Sequence, residues 1–347
     1  MVYLDNAATT VCKFPASAYD DIWGNANMPY KFGLNAKRAA DECRERVKKY
    51  LGVKGGKVIF CGNASEAAKI LCDRLHTKGF YTFCSPYEHD SVYYNADVHG
   101  FSDEDFYDKY DKNDAIFQQW VNPVTGMAFD IPSIRQALGN DCFLCIDATA
   151  GIGKRALAQS IVSSVDAIWF SGHKFNGPKT GGILWVSDRL SKALYLSDDS
   201  RNEYGLKHGT LDVPSFIATT YALDEAVTQE IDNVAHYAEL NNYLSNRAGN
   251  KIVISNPYTQ GQIDATVLID TRCNADVLVQ YLSSKGIYVG LAHSACSADA
   301  DYRVTQAFGI SKETAERCIR VSFSEDSTFE DIDALINGIK EFKEKFV

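Results

Sequence analysis

The lysine in Trp169-Phe170-Ser171-Gly172-His173-Lys174-Phe175-Asn176-Gly177-Pro178-Lys179 directly follows an apolar run. An amine held at the end of a strand is well placed to condense with an aldehyde, and Ser171 and His173 flank it as donors for a phosphate. Asp147, in Ile146-Asp147-Ala148-Thr149, closes another apolar run. A buried carboxylate needs a partner: a protonated pyridine nitrogen supplies one, and so do the N–H groups of a loop that the Asp caps. A third segment, Asn63-Ala64-Ser65-Glu66, opens a helix that carries Ala67, Ile70, Leu71 and Leu75. Its free N–H groups and positive dipole end attract a phosphate, with the Ser65 hydroxyl as a further donor, although the same residues also make an ordinary helix cap. The fourth segment, His293-Ser294-Ala295-Cys296-Ser297-Ala298, is a run of small residues after the apolar stretch Ile287 to Val289. It suits a loop that carries a thiol to a substrate, and Cys296 stands outside the apolar periodicity.

These segments need a scaffold that gathers strand ends. The short apolar runs Val58 to Cys61, Tyr81 to Cys84, Ala115 to Phe117, Phe143 to Ile146, Ala167 to Phe170 and Ile183 to Val186 read as buried strands. Several are separated by helix-length segments, which implies a mainly parallel sheet covered on both faces. In such a sheet ligands bind beyond the carboxyl ends of the strands, where Asp147 and Lys174 fall. From Leu34 to Gly52 the positions Ala36, Ala39, Ala40, Cys43, Val47, Tyr50 and Leu51 recur at helical spacing before a terminating glycine. After about residue 235 the pattern changes. Lys251 to Ile254, Thr266 to Ile269, Ile287 to Val289 and Ile319 to Phe323 read as strands, and Ala275 to Ser284 as a helix. A last helix is expected from a capping box at Ser327 to Glu330, with Phe329, Ile332, Leu335, Ile336, Ile339 and Phe342 on one face.

The chain has 347 residues, 46% hydrophobic and 23% charged, which suits about two domains with a sizeable core. Its formal net charge of -10 comes without a basic stripe, so nucleic acid is not expected as a partner and any phosphate must be held by local positive groups. The start, MVYLDNAATT, lacks the basic and apolar pattern of a signal peptide, and no apolar run is long enough to span a bilayer. A cytoplasmic protein without a membrane partner is expected. The 10 cysteines are scattered, and the close pair Cys142 and Cys145 sits in a strand run, so both read as core and no metal site is expected.

Taken together, the segments resemble the cysteine desulfurases of the iron-sulfur and nitrogen-fixation type, within the class V aminotransferase group of fold-type I pyridoxal-phosphate enzymes. Order and spacing match across nearly the whole chain. The matching residues are Tyr3-Leu4-Asp5-Asn6-Ala7-Ala8-Thr9-Thr10, Gly24-Asn25, Phe32-Gly33, Glu88-His89, Ile146-Asp147-Ala148-Thr149, Ser171-Gly172-His173-Lys174, Gly205 with His208-Gly209-Thr210-Leu211, Ser294-Ala295-Cys296, and Ile319-Arg320-Val321-Ser322.

The resemblance implies an α/β fold of fold-type I. A large cofactor-binding domain over 15–235 holds a mainly parallel, seven-stranded-type sheet, and a smaller α+β domain from 1–14 and 236–347 carries the catalytic cysteine loop and the carboxylate-binding arginine. It also implies pyridoxal 5'-phosphate joined to Lys174, with Asp147 keeping the pyridine nitrogen protonated and His89 stacked on the ring and moving protons. The Ala64 N–H, Ser65, Ser171 and His173 would hold the phosphate, together with Thr210 from the neighbouring subunit of a homodimer. Arg320 would bind the α-carboxylate of L-cysteine as a two-pronged donor, with Asn6 also at the substrate. Cys296 would take the sulfur as a persulfide, releasing alanine and passing sulfur to an acceptor or scaffold protein.

The chain departs from the family pattern in several places. Gly62-Asn63 replaces a Ser-Gly pair and Ser65 a threonine, Lys207 replaces an arginine, and Tyr30 an upstream histidine. Ala150 stands where a glutamine contacts the cofactor's phenolic oxygen, a lost hydrogen bond typically worth ~1 kcal/mol. The loop Asn122-Pro123-Val124-Thr125-Gly126 is closer to that of aminotransferases, and Asn122 becomes the candidate for the phenolic oxygen. A divergent member is expected. The alternative is a class V aminotransferase or selenocysteine lyase acting on a small amino acid.

Overall fold

The structure is a computed structural model that describes residues 1–99, 114–198, 201–248, 251, 259–293 and 301–346. In chain order its strands are β1 (Val2–Leu4), β2 (Lys57–Cys61), β3 (Thr82–Cys84), β4 (Val98–His99), β5 (Ala115–Gln119), β6 (Met127–Phe129), β7 (Phe143–Asp147), β8 (Ala167–Ser171), β9 (Gly182–Val186), β10 (Thr259–Gln262), β11 (Thr266–Asp270), β12 (Ile287–Leu291) and β13 (Cys318–Ser322). The chain divides into two compact units. The larger comprises Val11–Trp120 and Asp130–Thr228, and the smaller Met1–Thr10, Val121–Phe129 and Gln229–Val347.

The larger unit is built on a seven-stranded sheet of order β2-β9-β8-β7-β5-β3-β4, in which β9 alone runs antiparallel to its neighbours. Every residue of β5, β7, β8 and β9 is buried, as a sheet covered on both faces requires. Helix α1 (Lys31–Leu51) buries Ala36, Ala40, Cys43, Val47 and Leu51 at helical spacing and ends on Gly52. Helix α2 (Ala64–Thr77) starts at Asn63, whose side chain accepts from the Glu66 N–H at 2.9 Å. Its face of Ala67, Ala68, Leu71, Cys72 and Leu75 packs on Ile59, Phe117, Cys145, Trp169 and Leu184. Full burial of each large apolar side chain there is worth roughly 1.5–3 kcal/mol, which fixes where the start of α2 lies against the sheet.

The smaller unit has a four-stranded sheet of order β1-β12-β13-β11, with β1 parallel to β12 and the other pairs antiparallel. A second, two-stranded sheet pairs β6 with β10. The excursion Val121–Phe129 thus clusters with this unit, whereas the chain on either side of it belongs to the larger one. No change in apolar pattern marks that exchange in the sequence.

The final helix, Phe329–Phe346, buries Ile332, Leu335, Ile336, Ile339 and Phe342. Its capping box lies one residue later than expected, at Thr328 and Asp331: the Asp331 N–H donates to Thr328 Oγ1 at 3.2 Å and the Thr328 N–H to Asp331 Oδ2 at 2.9 Å. Ser327 is instead committed upstream, accepting from the Ser324 N–H at 3.0 Å. The expected strand Lys251 to Ile254 is described only at Lys251, which bridges to Ile269, and its remainder lies outside the described residues. Among the described residues no helix is long and apolar enough to cross a membrane.

Candidate active site

Asp147 and Ser171 are the last residues of the neighbouring parallel strands β7 and β8, and Asp147 stands opposite Trp169 in the register. Side chains alternate across a sheet, so Cys145, Asp147, Trp169 and Ser171 share one face, the face on which α2 packs. Ser171 pairs with Gly182 and Gly182 with Cys61, which carries one row of backbone partners across to the start of α2. The approach is tight: a Cβ at position 182 would stand 2.5 Å from the Asn63 carbonyl. The Gly181 N–H donates to the Gly62 carbonyl at 2.8 Å and the Gly172 N–H to the Gly181 carbonyl at 2.9 Å. Gly62, just ahead of α2, and the turn after Ser171 are therefore laced together by main chain through Gly181. Ser171 Oγ lies fully buried at this junction and has no hydrogen-bond partner.

Lys174 ends the short 3-10 turn Gly172–Lys174. Beyond it Asn176 takes a left-handed backbone, φ 66°, and its carbonyl accepts from the Lys13 N–H at 2.8 Å. Lys154 is buried and its Nζ donates to the Lys174 carbonyl at 3.4 Å. Burial first, then the positive charges of Lys174, Lys154 and Lys179 and the nearby His89, push His173 down to about 4. That shift records cationic groups gathered round one imidazole, the local positive field that a phosphate needs in a chain of net charge -10.

His89 caps the short helix Asp90–Tyr93, and its Nδ1 accepts from the Ser91 N–H at 3.1 Å. A backbone N–H can only donate, so the neutral ring carries its proton on Nε2. The preceding Glu88 is buried and accepts from the Gln119 N–H at 2.6 Å and the Ser85 hydroxyl at 3.0 Å, which fixes the segment bearing His89 to the end of β5. Asp147 Oδ1 accepts from the Thr149 N–H at 2.8 Å, so this carboxylate does cap its own loop. Thr149 Oγ1 beside it is buried without a partner. Glu66 accepts from the Gly62 N–H and from Lys207 Nζ at 3.0 Å, tying the segment that leads to Thr210 to the start of α2. Thr210 itself is exposed.

In the smaller unit Arg320 lies on β13. Its Nη2 pairs with Asp5 Oδ1 at 2.7 Å, its Nη1 donates to the Pro123 carbonyl at 3.4 Å, and its Nε is buried without a partner. Asn6 is 1% exposed, and its side-chain amide donates to the carbonyls of Tyr3 at 3.3 Å and Ser322 at 3.1 Å. The bond to Ser322 thus holds the amino-terminal segment to β13 while the bond to Tyr3 braces that segment on itself, and the neighbour Asp5 is the residue that meets Arg320. The side-chain oxygen of Asn122 accepts from the Val124 N–H at 2.9 Å and the Thr125 N–H at 2.8 Å, bracing its own turn. Cys296 lies outside the described residues. Burial pushes the thiols of Cys72 and Cys318 up to about 12, which makes both poor nucleophiles.

Two charged residues near these groups escaped the sequence reading. Asp5 lies next to Asn6 in the amino-terminal motif, and the alternation of side chains along an extended chain is the signal that separates the two. Lys154 follows Asp147 in the loop after the same strand, a place where ligand-contacting residues are expected.

The Aminotransferase class-V family matches residues 2–335. The chain belongs to that family. Among curated relatives, "Cysteine desulfurase IscS" of Buchnera aphidicola subsp. Schizaphis graminum is 28% identical, covering 97% of this chain and 91% of the relative. A solved structure described as "NIFS-LIKE PROTEIN" shares the fold with a TM-score of 0.85 at 23% identity, over 99% of this chain and 100% of that one. A NifS-like protein from Rickettsia africae has a TM-score of 0.84 at 19% identity, over 99% of both chains.

Class V members are pyridoxal-phosphate enzymes, and the residues of the larger unit fit that group. The orphaned Ser171 hydroxyl, the start of α2 and the cations around His173 match a phosphate. Asp147, buried on the same face one strand away, matches a protonated ring nitrogen.

Proposed function

We propose that this chain is a pyridoxal-phosphate-dependent cysteine desulfurase, converting L-cysteine to L-alanine and leaving the sulfur as a persulfide on Cys296. The observation that carries the reading is the buried, unpartnered Ser171 hydroxyl at the start of α2, with Asp147 on the same sheet face and Lys174 in the next turn. The relatives' names favour desulfuration over transamination or selenocysteine lysis.

When bound, pyridoxal phosphate supplies an electron-withdrawing ring that stabilises negative charge at the substrate Cα. In this reading Lys174 would hold the cofactor, and its free amine would take the α-proton. Asp147 keeps a proton on the ring nitrogen, while Ala64, Ser65, Ser171 and His173 grip the phosphate. His89 presents Nε2–H to the reaction because Nδ1 is held by Ser91, and it moves protons there. Arg320 takes the substrate carboxylate. The Cys296 thiolate attacks the substrate sulfur, an S–S bond forms as the Cβ–S bond breaks with its electron pair left on the carbon side, and protonation at Cβ followed by return of a proton to Cα completes alanine. Asn122 and Asn6 keep their expected assignments to the cofactor's phenolic oxygen and the substrate only through groups not already used on their own backbone.

A homodimer belongs to the same proposal. Thr210 is exposed, as a residue that reaches a neighbour's phosphate must be, and Trp23, Met28, Tyr30, Phe32 and Leu34 leave apolar surface open on the larger unit. The persulfide sulfur passes to an acceptor or scaffold protein.

The test is turnover of L-cysteine by the yellow holoenzyme with a thiol reductant. Sulfide and alanine are expected in equal amounts, both lost in Cys296→Ala, and the Cys296 peptide gains one sulfur atom when reductant is omitted. Transamination that survives Cys296→Ala would overturn the reading.

A further inference from the structure

Resting on that reading, we propose that Asp5 is a positioning residue for substrate recognition: it locks the Arg320 guanidinium so that one N–H on each terminal nitrogen stays available to an α-carboxylate. A guanidinium has five N–H donors, two on each terminal nitrogen and one on Nε. Asp5 Oδ1 takes one from Nη2 at 2.7 Å and the Pro123 carbonyl takes one from Nη1 at 3.4 Å. One donor on each terminal nitrogen remains, which is the pair a carboxylate binds in two-pronged fashion.

The strand edge is built round this contact. β1 adds in parallel to β12, and Asp5 forms a bridge with Ser322 just past the end of β1. Asn6 donates to the Ser322 carbonyl, Ser322 Oγ accepts from the Ala7 N–H at 2.8 Å, and the Tyr3 hydroxyl donates to the Thr9 carbonyl at 2.7 Å. These bonds leave Asp5 little freedom to move off Arg320. On the other side, Gly290 stands opposite Arg320 in the ladder, and a Cβ there would lie 2.5 Å from Asp5 Oδ1 and 2.7 Å from Arg320 Nη2. A side chain at 290 would therefore part the pair. An arginine on its long stem otherwise loses rotamer freedom each time it binds an anion, and a guanidinium fixed in advance avoids that loss. The Asp5 charge also weakens the general pull of Arg320 on anions, so recognition depends on the geometry of the fork.

The experiment uses the holoenzyme and reads the cofactor's absorbance during titration with L-alanine and with ethylamine, which differs from it by lacking the carboxylate. Asp5→Ala is expected to raise the dissociation constant for L-alanine about tenfold, the loss of one charge-assisted contact, and to leave that for ethylamine within twofold. Asp5→Asn keeps an oxygen facing Arg320 and is expected to recover part of the loss, while KM for L-cysteine rises in Asp5→Ala with kcat held within twofold. Unchanged or tighter L-alanine binding in Asp5→Ala, or an equal loss for ethylamine, would overturn the inference while leaving the desulfurase reading in place. A wild-type protein that takes up no pyridoxal phosphate overturns that reading, and the inference with it.

Discussion

Where β7 and β8 begin, Asp166 has both oxygens engaged: Oδ2 accepts from Arg135 at 2.7 Å and the Leu144 N–H at 3.0 Å, and Oδ1 from the Ser187 hydroxyl at 3.3 Å, with Arg189 at 3.3 Å. The two arginines use further donors on carbonyls, Arg135 on those of Ser164, Gly139 and Cys142, and Arg189 on those of Asn140 and Cys142. Where the same strands finish, the Ser171 and Thr149 hydroxyls are buried without partners and lysines crowd His173. A buried unsatisfied group costs about 1–3 kcal/mol, so one end of the sheet is arranged for stability and the other retains a cost that a ligand can remove.

The comparison breaks most visibly at Asp166. Asp166→Ala leaves the half-buried Arg135 guanidinium and the buried Leu144 N–H without their carboxylate, Arg189 being exposed, and is expected to cost about 3 kcal/mol in urea unfolding, with pyridoxal-phosphate affinity of the folded fraction unchanged. Equal losses in stability and cofactor affinity would mean that the two ends are not separate. Ser171→Ala sharpens the contrast from the other side with a smaller effect. The cofactor-free protein should keep its stability or gain up to ~1 kcal/mol, because an unsatisfied hydroxyl leaves the interior, while the cofactor dissociation constant rises about fivefold. Equilibrium unfolding and dialysis with pyridoxal phosphate measure the two quantities.

The larger unit was legible because its strands are uniform apolar runs and its chemistry follows them immediately: Asp147 and Ser171 prove to be the last rungs of β7 and β8. The orphaned state of Ser171 was not legible, since it depends on the β8–β9–β2 register that brings the start of α2 beside it. The smaller unit was harder to read. Its Arg320 stood out by type and spacing, but Asp5 meets it across 315 positions of sequence. The exchange of Val121–Phe129 into that unit likewise depends on pairing with β10 and leaves no local signal. The shift of the last cap from Ser327 to Thr328 was a choice between adjacent hydroxyls that only the Ser324 contact decides.

Lys174 is one amine among neighbours, since Lys154 and Lys179 both act on the same imidazole. Reduction of the holoprotein with borohydride, followed by peptide mass mapping, fixes the cofactor to the lysine that held it. The adduct is expected on Lys174 alone; an adduct on Lys154 or Lys179, or none on a protein that retains its yellow colour until reduction, would contradict the assignment of the cofactor to Lys174.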